Sequence, residues 1–140
     1  MKQTIHITKS LYPNLQNIGV AAIYLFGSCA DGTEQSTSDM DIAVLFKYND
    51  TNTDNINYSQ KYQALYELLD PLIAARGIKI DLVILHRASL ELQAHVVRTG
   101  ILLYQSNPEY VTEYEERIMI EAADFLFLKN QIDQAILARI

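Results

Sequence analysis

The chain has 140 residues, 49% apolar and 20% charged, a composition that fits one packed domain and excludes a disordered segment. With 11 Lys and Arg against 17 Asp and Glu, the formal charge of −6 argues against a surface that tracks a nucleic-acid backbone, though not against phosphate chemistry carried by metal ions. A single cysteine, Cys29, rules out an internal disulfide or a cysteine-based zinc site, and the absence of a signal peptide or a bilayer-length apolar run points to a cytoplasmic protein with no membrane contact.

Taken in chain order, residues 8–17 suggest a short helix. Residues 20–26 (VAAIYLF) form the first of four apolar runs, each rich in β-branched or aromatic side chains; the others are 42–46 (IAVLF), 78–85 (IKIDLVIL) and 101–104 (ILLY). Runs of this length bounded by Gly, Asp or Asn predict buried strands. The polar stretches 27–39 and 47–57 read as loops within the domain, because apolar elements flank both. Tyr62, Leu65, Leu69, Leu72 and Ile73 predict a helix over 58–75, with Gly77 as its C-cap. Leu90, Leu92, Val96 and Val97 predict a second over 88–99, ended by Gly100. A last helix, about 108–138, opens at Asn107-Pro108 with acids crowding its first turns. Strands alternating with helices indicate an α/β (α+β) layered fold: a small mixed sheet flanked by helices.

The chemistry lies around the second run. Asp39 and Asp41 stand two apart at the start of a strand, so their side chains share a face while Met40 takes the other. Two carboxylates on one face repel each other, and a divalent cation between them removes that cost. Hard oxygen ligands in an open site suit Mg²⁺, which keeps waters and shares substrate phosphates. Asp81 interrupts the third run; if its strand lies beside the Asp39-Met40-Asp41 strand, it completes a cluster of three. Gly27 and Ser28 end the first strand, where glycine admits a close ligand and the hydroxyl and backbone N–H groups can hold phosphate oxygens. Each feature has an ordinary alternative: a strand-end acid pair, a Gly-Ser turn, a carboxylate capping backbone. Together they suit two-metal phosphoryl or nucleotidyl transfer.

The pattern Gly27-Ser28, ten residues, Asp39-x-Asp41, then Asp81 in a later strand resembles the minimal nucleotidyltransferases of the DNA polymerase β superfamily. The resemblance covers roughly residues 10–105, the catalytic core of a single domain spanning 1–140. It implies a polymerase β-like fold and ATP as nucleotide donor. Asp39 and Asp41 would hold the metals that bind the triphosphate, and Asp81 would hold the catalytic metal and help deprotonate an acceptor hydroxyl. Gly27 and Ser28 would contact the triphosphate, with Ser38 beside them. Small chains of this kind are similar to the antitoxins of HEPN/MNT toxin–antitoxin pairs, which adenylylate a tyrosine of a HEPN ribonuclease and silence it. The implied partner is therefore a HEPN-type toxin in a hetero-oligomer. A binding-only antitoxin and an aminoglycoside-type small-molecule nucleotidyltransferase are the alternatives. The chain departs from the family at Asp31, where related loops often carry a basic residue.

Other residues read as structural. Cys29 has no nearby histidine, His86-Arg87 reads as a solvated loop pair, and His6 and His95 lack metal-site spacing. Tyr104 reads as packing. In the last helix Tyr110, Tyr114, Ile118 and Phe125 form a possible helix-in-groove set, with packing on the chain's own domain preferred.

Overall fold

A computed structural model describes residues 5–27, 39–47, 55–74 and 77–139, with the side chains of 55–58 and 74 excepted. A 3₁₀ turn (Lys9–Leu11) leads into helix α1 (Tyr12–Ile18), then strands β1 (Val20–Phe26) and β2 (Met40–Phe46). Helix α2 (Asn55–Ala74) precedes strand β3 (Ile80–Ile84) and a 3₁₀ turn (Leu85–Arg87). Helix α3 (Leu90–Thr99), strand β4 (Ile101–Gln105) and the long helix α4 (Pro108–Leu137) complete the chain.

The strands form one mixed sheet in the order β3-β2-β1-β4. β1 runs antiparallel to β2 and β4, while β2 and β3 are parallel and joined through α2. A parallel pair needs such a crossover, since a tight turn can only reverse the chain.

Alternation along the strands divides the core into two layers. Ile23 and Leu25 of β1, Met40, Ile42, Val44 and Phe46 of β2, and Ile80 and Leu82 of β3 face α1 and α2, where Leu15, Leu65, Leu69 and Ile73 are buried. Tyr24 and Phe26, with Ala43 and Leu45, face α3 and α4, where Ala94, Val96, Val111, Tyr114 and Ile118 close the second layer. Burial of Leu65, Leu69 and Ile73 carries α2 through Pro71, whose missing N–H and bulky ring would otherwise end a helix there. Asn107 caps α4 as its sequence predicts: its side-chain oxygen accepts from the N–H groups of Glu109 and Tyr110, and Pro108 takes the first helical position.

Of the four runs read as buried strands, only β1 and β2 lie inside the sheet. β3 and β4 are its edges, and β4 in particular is half-exposed, with only Tyr104 buried. Tyr104 packs edge-on against Tyr12 at 4.9 Å between ring centres, a core contact as its sequence suggests. His86 departs from the loop reading. Its Nε2–H donates to the Phe46 carbonyl at 2.7 Å, its ring meets Tyr114 edge-on, and it is half-buried.

Candidate active site

The end of β1 and the starts of β2 and β3 meet at one end of the sheet. In register, Asp41 lies between Phe26 on one side and Asp81 on the other. Met40 is buried in the α1/α2 layer, so Asp41 faces the opposite layer, and the equivalent alternation puts Asp81 on the same face. The juxtaposition that the sequence left conditional on strand order is therefore present. Asp39 precedes β2 and is exposed; Asp41 is half-buried and Asp81 exposed. Because β3 is an edge strand, Asp81 escapes the burial cost that its apolar run suggests.

The electrostatics follow from this placement. Burial beside Phe26 pushes the Asp41 carboxyl above the usual carboxylate range, the charges of Asp81 and Asp39 push it further, and a hydrogen bond shared with Asp81 adds to the shift. One carboxyl group beside two carboxylates concentrates negative charge at this end of the sheet.

Gly27 supplies the other half of the geometry. It adopts φ 73°, a left-handed conformation suited to glycine, and a Cβ there would collide with Asp41 Oδ2 and lie 3.1 Å from its Cγ. The close approach seen at this glycine is that of the Asp41 carboxylate. Ser28 and Ser38, assigned to the triphosphate from sequence, lie outside the described residues, as do Cys29 and Asp31.

Among the described residues, no three His, Cys, Asp or Glu side chains close around a point as a complete metal cage. The donor set nevertheless fits Mg²⁺, which takes one or two carboxylates and completes its octahedron with waters and substrate phosphates. Asp41 and Asp81, aligned on adjacent strands, are that kind of open set.

Sequence inspection had no signal for the polar contacts behind the site. Tyr24 of β1 donates to Glu115 of α4 at 2.7 Å, and Tyr114 donates to Gln93 of α3 at 2.7 Å. These bonds join residues 91 and 21 positions apart and fix α3 and α4 over the face that carries the aspartates.

Residues 9–109 match the family described as "Polymerase beta, Nucleotidyltransferase", and the chain belongs to that family. It is 41% identical over 98 residues to the protein adenylyltransferase MntA of Shewanella oneidensis, a match covering 70% of this chain and 62% of that protein's length. Its fold is also similar to a crystallised toxin–antitoxin with AMP-PNP, at TM-score 0.56 and 31% identity, covering 91% of this chain and 92% of the other. A third match is a structure of a tri-AMPylated Shewanella oneidensis HEPN toxin in complex with an MNT antitoxin, at TM-score 0.50 and 30% identity over 91% of this chain and 90% of that one.

Proposed function

We propose that the chain is a Mg²⁺-dependent nucleotidyltransferase antitoxin that moves AMP from ATP to a tyrosine hydroxyl of a HEPN-type ribonuclease toxin and so neutralises it. The observation that carries this reading is the register of Asp41 against Asp81 beside Gly27, with the Asp41 carboxyl raised by both acidic neighbours. The similarity to an adenylyltransferase and to toxin–antitoxin complexes supplies the substrate class.

In this reading Gly27, Ser28 and Ser38 contact the triphosphate, and Asp39, Asp41 and Asp81 hold the metals. Bound Mg²⁺ would neutralise triphosphate charge and stabilise the charge that develops at the α-phosphoryl group. The tyrosine oxygen attacks that phosphorus, the new O–P bond forms as the bond to the β-phosphate oxygen breaks, and pyrophosphate leaves. Asp81, exposed on the edge strand, accepts the phenolic proton. These steps fall to a catalytic core of about 10–105 in a single domain spanning 1–140, and the partner brings the acceptor tyrosine.

The test is transfer of labelled AMP to a co-purified HEPN partner, followed by the partner's intact mass. Asp81→Asn is expected to lose at least about 100-fold in transfer rate with its fold retained. Full transfer by that variant overturns the mechanism, and an inhibited but unmodified wild-type partner overturns the adenylylation reading.

A further inference from the structure

The two halves of α4 have different surroundings. Val111, Tyr114 and Ile118 are buried against the chain's own sheet and α3, so two of the four residues in the suggested helix-in-groove set, Tyr114 and Ile118, are already occupied. From residue 123 to 137 every position is exposed. Yet the apolar stripe does not stop. Ala122, Phe125, Ile132 and Ile136 continue it at three- and four-residue steps, with Lys129 in the same row. Phe125, Leu126, Ile132 and Ile136 are 52, 58, 50 and 54% exposed. With Leu128 and Leu137 they offer about 650 Å² of apolar surface, close to one side of a standard protein interface. At the base of this arm, a cavity of about 420 Å³ opens between α3 and α4, lined by Leu90, Ala94, Phe125 and Leu126 with Glu91, Arg98 and Lys129.

Charge decides among occupants. Along residues 122–137 the acids Asp124 and Asp133 outnumber the one base, Lys129, so a second copy would bring a net like charge together. Lys129 sits one residue from the midpoint of the exposed stretch, so pairing with a second copy, parallel or antiparallel, sets it against or beside its own copy. The same acid excess repels an anionic lipid surface, and no described helix is long and apolar enough to cross a membrane.

We propose that residues 122–137 are a docking surface for a helix of the partner protein. That helix lies along the apolar row with a carboxylate facing Lys129 and a large apolar side chain in the cavity at the base. Naming the partner as the HEPN-type toxin rests on the function proposed above; the seam and its charge pattern do not.

The test uses the full chain and a co-purified HEPN-type protein, comparing wild type with Phe125→Glu/Ile132→Glu and Lys129→Glu. Wild type alone is expected to sediment as a monomer. The double variant should keep its unfolding temperature, since both side chains are exposed, and lose at least about 100-fold in affinity for the partner. Lys129→Glu should lose about 10-fold. Unchanged affinity overturns the proposal. So does a wild-type dimer that the substitutions dissolve, or substitution-sensitive binding to phosphatidylglycerol vesicles. Affinity lost with the substitutions while the partner is never adenylylated upholds the docking face and overturns only the enzymatic reading.

Discussion

Asp41 carries the sharpest conflict in the molecule. Its carboxyl is raised by burial and by Asp81 and Asp39, so the folded chain holds that proton more tightly than the unfolded chain does. A raised carboxylate stabilises the fold at low pH, and the contribution is lost as pH rises through the raised value. At neutral pH, without metal, the site therefore works against the fold. Asp41→Asn is expected to raise the unfolding free energy of the metal-free protein by about 0.5–1 kcal/mol, after allowance for solvent screening. In thermal melts Mg²⁺ should stabilise wild type more than the variant; equal response would remove Asp41 from the metal site.

Gly27→Ala tests the neighbouring constraint. Forcing an L side chain into the left-handed region costs about 1–2 kcal/mol, and the new Cβ displaces the Asp41 carboxylate. Transfer activity should fall by about 10–100-fold, a loss that steady-state assays of AMP transfer would register. His86 predicts a separate pH effect at the far end of β2. Burial lowers its pKa from the ordinary 6.5; the Phe46 carbonyl opposes that shift, and Arg117 and Lys61 reinforce it. Because the folded value lies below the unfolded one, its stability is present above pH 6.5 and lost as pH falls through the window beneath. Denaturant midpoints should drop as pH falls below 6.5, and His86→Gln should flatten that part of the profile.

Element identity was legible wherever local chemistry and burial agree. The run 20–26 is β1 end to end, because every residue in it is buried and all but Leu25 are β-branched, aromatic or small. The start of α4 is visible in Asn107-Pro108, since a cap is a contact between residues two and three apart. Edge and interior strands were not distinguishable by run composition. ILLY has an inner strand's residues, but β4 pairs on one side only and leaves Leu102 39% exposed. The helix predicted over 58–75 runs through Pro71, held there by three side chains buried on the same helix.

For the whole molecule, the net charge of −6 takes on structure. Part of it is the aspartate cluster at the sheet end, and part lines α4, mostly along its first half. What the amino-acid order determined by itself is what acts over a few residues: strand and helix periods, caps, and the pairing of Asp39 with Asp41 on one face of an extended chain. Bringing Asp81 beside Asp41, pressing Asp41 against Gly27, and leaving half of α4 uncovered were decided only by tertiary structure. Those outcomes depend on which strands adjoin and where the core ends, and both are set by burial across the whole sheet rather than by any neighbouring residue.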